Sequence, residues 1–155
     1  MNGHETSARV AAEAWESLFR AQVALMRRFE ESGDFAPLRA REYDVLFTLS
    51  RAPAGRLRLR ALNENILITQ PSMSRMVERL ERRGLVRRDR ADDDARGLVV
   101  SLTEEGAALQ RSIARRHVRT LRRLVGGALS EDELRALTDL TTKLRRRQEE
   151  IRSTG

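Results

Sequence analysis

The sequence predicts a mainly helical α+β fold, in which one small β-ribbon accompanies several amphipathic helices. Composition points that way. Aromatic residues are 4% of the 155-residue chain and charged residues 34%, so the apolar 40% is chiefly Leu, Val, Ala and Met, a mix that favours helices over sandwiches or barrels. Apolar residues recur at threes and fours along most of the chain, and only Leu85–Val86 and Leu98–Leu102 read as β-prone runs. The length fits one domain, or one domain with appended helices, and is enough to bury a core.

The first element is a long helix over 8–31, where Ala11, Ala14, Trp15, Leu18, Leu25, Met26 and Phe29 keep helical spacing broken only by Gln22. ESGDFAP at 31–37 is a turn cluster. Pro37 suits the opening of a second helix, which bears Val45, Leu46 and Leu49 and ends near Ser50. APAG at 52–55 is the next break, and two short helices are expected between Leu57 and Gly84, joined by a tight turn near Ile66 to Ile68. LVRRDRADDDARGLVVSL at 85–102 then reads as a hairpin whose two runs flank a polar, Asp-rich loop. Thr103 can N-cap a helix that starts with Glu104 and Glu105 at the positive end of its dipole. Its apolar stripe is Leu109, Ile113, Leu121 and Leu124, with His117 on the same face. GGALS at 126–130 ends it, and Ser130 with Glu133 forms a capping box for a last helix carrying Leu134, Leu137, Leu140, Leu144 and Ile151. The first and last helices are too long and amphipathic for a small central domain to cover, which predicts a dimerisation module.

The formal charge of +7 and pI near 11.2 suggest a polyanionic partner, because a basic face gains free energy by releasing counterions from phosphates. The charge is not spread evenly: residues 1–50 carry −2, 51–100 carry +5 and 101–155 carry +4. With no cysteine, disulfides, thiolate metal sites and cysteine redox switches are excluded. No apolar run approaches a membrane span and MNGHETSARV lacks the apolar core of a signal peptide, so a soluble, cytoplasmic protein is expected.

The most informative stretch is QPSMSRMVERLERRG at 70–84. On a helix Met73, Met76, Val77 and Leu80 fall on one side, with Arg75, Glu78, Arg79 and Arg82 opposite and Ser72 and Ser74 between. Thr69 can N-cap this helix and Pro71 sits in its first turn, where a missing N–H costs nothing. As the second helix of a helix-turn-helix, its exposed N-terminus would enter the major groove. There Gln70 could read adenine, Ser72 and Ser74 bases or phosphates, and Arg75 and Arg79 the backbone or a guanine. The same pattern also describes a helix that merely faces water, so the helix alone leaves both readings open.

LNENILITQPSMSRMVERLERRGLV at 62–86, D-A-R at 94–96 and LVVSLTEEG at 98–106, in this order and spacing, resemble the MarR family of winged helix-turn-helix transcription regulators. The resemblance covers about residues 57–106; the flanking helices fit the family layout by length and pattern only. Asn63 and Leu67 depart from the helix-turn-helix pattern, which often has a small residue and a turn glycine at these places. The resemblance implies a two-stranded wing and long N- and C-terminal dimerisation helices, dividing the chain into 1–36, 37–103 (the DNA-binding lobe) and 104–155. It also implies that Arg96 enters the minor groove while Asp94 supports the wing by pairing with nearby Arg. Asp92 and Asp93 are read as a solvated loop tip, because D-D-D-A-R lacks the alternating ligands of a calcium loop.

Nothing points to catalysis: no nucleophile motif, GxGxxG or phosphate loop occurs, and neither a metal nor a cofactor is expected. His117 on an apolar stripe reads as a satisfied, partly buried histidine rather than a ligand. Trp15, Tyr43 and Phe47, near Phe35 in type and pattern, could be core or could line the effector pocket that the resemblance implies between dimerisation helices and DNA-binding lobe. The expected protein is a homodimeric regulator, foremost a repressor, on double-stranded DNA with a pseudo-palindromic operator, and with a small-molecule effector if it has one. A winged protein-interaction module and a non-specific architectural DNA-binding protein are the alternatives.

Overall fold

The computed structural model describes residues 7–66, 70–92 and 94–153, with the backbone alone for residues 70, 94–96 and 153. The elements are α1 (Ala8–Glu31), α2 (Ala40–Arg51), a 3-10 turn (Pro53–Gly55), β1 (Arg56–Arg58), α3 (Leu59–Asn65), α4 (Gln70–Arg82), β2 (Val86–Ala91), β3 (Asp94–Leu102), α5 (Glu104–Leu124) and α6 (Glu131–Ser153). They divide into two units, residues 1–117 and 118–155. The mainly helical α+β reading therefore holds.

In the first unit α2 and α3 pack on β3, and α4 packs on β2. The core between them takes Val45, Leu46 and Leu49 from α2, Leu62 from α3, Met73, Val77 and Leu80 from α4, Val86 and Val100 from the sheet and Ile113 from α5, none more than 2% exposed. Each such side chain contributes roughly 1.5–3 kcal/mol by leaving water.

The sheet has three strands in the order β1-β3-β2, all antiparallel. The periodicity of the sequence does not show β1: three residues are too few for a pattern, and Arg56–Arg58 is a strand because it pairs with Val99–Ser101. The hairpin also extends further than the apolar runs, to Ala91 and Asp94, with a register shift after Arg90. The charged loop expected there is mostly ribbon. Pairing with β3 gives β2 ladder hydrogen bonds along one edge, and exposed Arg87 and Asp89, two apart on one strand, pair at 2.9 Å.

Helix boundaries follow local chemistry. Helix α2 starts at Ala40 rather than Pro37, which lies in the preceding turn, because the Arg39 N–H donates to Glu42 Oε2 at 3.0 Å and so caps the helix there. Helix α4 ends in a Schellman turn: Gly84, at φ 72°, donates to the Glu81 carbonyl, and Leu85 to that of Leu80. Thr103 caps α5 as expected. Its hydroxyl oxygen accepts the Gly106 N–H at 3.0 Å and its O–H donates to the Gly84 carbonyl at 2.7 Å, tying the helix start to the end of α4.

In the second unit, Ser130 and Glu133 make the expected reciprocal cap of α6, with N–H to side-chain oxygen distances of 2.8 and 3.3 Å. Leu137, Leu140, Leu144 and Ile151 on α6 are exposed. So are Val10, Trp15, Phe19 and Val23 on α1. Among the described residues no helix is long and apolar enough to cross a membrane.

Candidate nucleic-acid interface

The two faces of α4 separate as its sequence requires. Met73, Met76, Val77 and Leu80 are buried, while Arg75, Glu78, Arg79 and Arg82 are exposed and Ser72 and Ser74 half-buried. Gln70 opens the helix, Thr69 lies outside the described residues, and so does the Gln70 side chain.

Two ionic clusters, one with α2 and one with β2, hold this helix and its end. In the first, the buried carboxylate of Glu42 on α2 lies 3.6 Å from Arg79 Nε and 3.8 Å from a terminal nitrogen of Arg83. In the second, Arg88 of β2 donates its backbone N–H to Glu81 at 2.8 Å and its Nε to the same carboxylate at 2.7 Å, and approaches Glu78 at 3.3 Å. The backbone N–H of Arg88, and then its guanidinium, pull the Glu81 carboxyl below the ordinary glutamate range, while Glu81 raises Arg88. A depressed folded pKa means stability that is full above the ordinary glutamate range and lost as pH falls through the lowered value. Glu81→Gln should therefore cost about 1 kcal/mol or less at pH 7, the pair being partly solvated, and should flatten the acid limb of stability. Urea midpoints from pH 7 to 3 that stay parallel to the parent would refute this contribution.

Arg75 makes no ion pair among the described residues. Exposed Arg82, nearer the end of α4, likewise makes none among the described residues. Asp94 and Arg96 lie on β3 rather than in a loop, with Asp94 opposite Ala91; their side chains, and all of Asp93, lie outside the described residues. Asp92 is exposed in the hairpin turn, as expected of a solvated tip.

Of the three candidate pocket residues, Tyr43 and Phe47 lie together, and Trp15 stacks on a different ring. Trp15 stacks on Phe19 at 5.9 Å and is 66% exposed, whereas Tyr43 lies 6.1 Å from Phe47 and 5.4 Å from Phe35. Tyr43 is buried, which raises its phenol above the ordinary value against an opposing hydrogen bond with Gln110. His117 is ringed by Phe29 at 4.7 Å, Phe35 at 4.9 Å and Tyr43 at 6.2 Å, and its Nδ1 lies 2.7 Å from buried Asp34. Its reading as a satisfied histidine is thus given a partner. Arg116 donates to the Asp34 carbonyl at 2.9 Å and to that of Ala36, fastening the turn that carries the aspartate.

Sequence reasoning passed over Glu42, Glu81, Arg88 and Asp34. Glu42 stands three residues after its cap partner Arg39, a local sign, but its cationic partners stand 37 and 41 positions away. Asp34 lies in the turn expected at 31–37, but its partner is 83 positions on.

Residues 37–97 match the MarR family, a span that takes in the helix-turn-helix and the wing as far as the start of β3. The transcriptional regulator PecS of Dickeya dadantii is 30% identical over 125 residues, covering 78% of this chain and 75% of that protein. Among solved structures, Sco3205 of Streptomyces coelicolor, a MarR family transcriptional regulator in complex with DNA, superposes with a TM-score of 0.76 at 28% identity, covering 90% of this chain and 88% of its own. NadR in complex with 4-hydroxyphenylacetate superposes with a TM-score of 0.70 at 25% identity, covering 93% and 96%. The chain therefore belongs to the MarR family of transcriptional regulators, which are not enzymes.

Proposed function

We propose that the protein is a cytoplasmic, homodimeric repressor that reads a pseudo-palindromic operator and is released from it by a small-molecule effector. The observation that carries this reading is α4: its apolar side is sunk in the core, and Arg75 stands exposed on the other side. Major-groove reading is assigned to Thr69, Gln70, Ser72, Ser74 and Arg75, backbone contact to Arg79, and minor-groove insertion to Arg96 with Asp94 as wing support. The DNA complex of Sco3205 supports this assignment.

The exposed apolar residues of α1 and α6 support the dimer, because water-facing side chains of this kind gain about 25 cal/mol per Å² when a second copy covers them. Trp15, on the exposed side of α1, is assigned to that face. Tyr43 and Phe47 remain the candidates for effector contact, a reading supported by the ligand complex of NadR.

Selection of bound sites from random DNA tests the proposal. It should return inverted repeats with half-sites about 34 Å apart, one duplex turn, since a two-fold dimer meets equivalent grooves at that spacing. Arg96→Ala should cost roughly 1–3 kcal/mol of operator binding. Arg75→Ala should weaken it roughly tenfold at moderate salt and reduce the salt slope by about 0.9. If both variants titrate with salt as the parent does, the groove assignment is wrong. Equal binding to every fragment would indicate an architectural protein, and no binding to duplex a protein-interaction module.

A further inference from the structure

We infer that Glu42 is a specificity-determining positioning residue: its buried carboxylate offsets the charge of Arg79 on α4 and of Arg83 just past its end, and so withholds them from DNA of arbitrary sequence. This rests on reading α4 as the helix that meets the groove.

Glu42 belongs to α2, not to α4, and its side chain is only 10% exposed. A carboxylate so placed needs partners, since burying a lone charge costs far more than a surface helix position can return. One partner is the Arg39 N–H, at 3.0 Å. The others are the two guanidinium groups, which keep 47% and 39% of their side-chain surface. At 3.6 and 3.8 Å these are ion pairs rather than hydrogen bonds. Arg83 also donates to the Pro37 carbonyl at 3.5 Å, yet each arginine keeps N–H donors for an outside acceptor, because a guanidinium carries five in a planar fork.

The trio of Glu42, Arg79 and Arg83 carries a net +1 where the arginines alone would carry +2. Non-specific binding scales with the number of phosphates neutralised, so a carboxylate behind the helix lowers it at every site. A correctly registered operator still finds oriented donors at Arg79. The difference between the two affinities is what discrimination consists of.

Glu42→Gln is the decisive variant. Glutamine keeps an acceptor for the Arg39 N–H, so the α2 cap survives, but it removes the charge. At about 0.1 M salt its affinity for a duplex of scrambled sequence should rise roughly 3–10-fold, with a salt slope steeper by about 0.9, and the ratio of operator to scrambled affinity should fall by a similar factor. A purely structural role would not steepen that slope. In an Arg79→Gln/Arg83→Gln background the gain should vanish, whereas a gain that persists there would reduce Glu42 to one more surface charge and overturn the inference. Unchanged or weaker scrambled binding by folded Glu42→Gln would overturn it as well.

Should Glu42→Gln fail to fold by thermal unfolding, Arg79→Gln and Arg75→Gln carry the test. The first should flatten the non-specific slope clearly less than the second, its charge being already offset, and equal flattening would count against Glu42. A parent that shows no preference among fragments would instead bring down the DNA-reading assignment, an outcome separate from all of these.

Discussion

Gly106→Ala should destabilise the protein by roughly 3 kcal/mol or more, a large share of the 5–15 kcal/mol that holds a typical domain together. A Cβ at Gly106 would overlap the carbonyl oxygen of Leu85 and stand 2.9 Å from both the Leu85 carbonyl carbon and Leu102 Cδ1. The oxygen cannot easily withdraw, because it accepts the Thr103 N–H at 3.2 Å while Thr103 itself caps α5 and bonds to Gly84. Helix α5, the end of α4 and the hairpin thus meet at a point where only hydrogen fits. In a chain of this size such a loss corresponds to a drop in melting temperature of about 10 °C. A thermal scan showing a drop under about 2 °C would refute the close approach.

Leu80→Ala should cost about 2–5 kcal/mol, since Leu80 is fully buried on the inner face of α4 and the cavity it leaves is closed in by the core. Urea unfolding measures this directly. The informative comparison is with Arg75→Ala, one and a half turns earlier on the opposite face. Under conditions where both remain folded, Leu80→Ala should keep operator affinity close to the parent's, while Arg75→Ala should lose affinity with a change in stability within about 0.5 kcal/mol. If the two losses were exchanged, α4 would not have the two faces assigned to it.

Much of the fold was legible without coordinates. Helix α1 runs over the span its periodicity indicated, the four apolar residues of α4 are buried, and Thr103, Ser130 and Glu133 cap where their spacing placed them. These are short-range effects, settled within a turn or two of helix. The misplaced features turn on strand pairing, which periodicity within one segment does not show, and on one local cap that was passed over. Arg56–Arg58 is a strand only because β3 lies beside it, and the Asp-rich segment is ribbon only because β2 and β3 pair through it. Pro37 did not open α2 because Glu42 supplies the cap two residues further on. The candidate site divides in the same way. The cationic front of α4 could be read from a helical wheel, but which arginines are already engaged could not.

By itself the sequence determined that this chain is a helical, basic protein with a β-ribbon and a two-faced helix at 70–82, because periodicity, caps and net charge act between near neighbours or as simple totals; the choice of a DNA groove for that helix came from the family resemblance. Only the tertiary structure decided that Glu42 stands behind Arg79 and Arg83, that Arg88 braces Glu78 and Glu81, and that Asp34 holds His117 among aromatic rings. Coulomb attraction and hydrogen bonding depend on separation in space, and a folded chain brings together residues whose separation in sequence carries no trace of it.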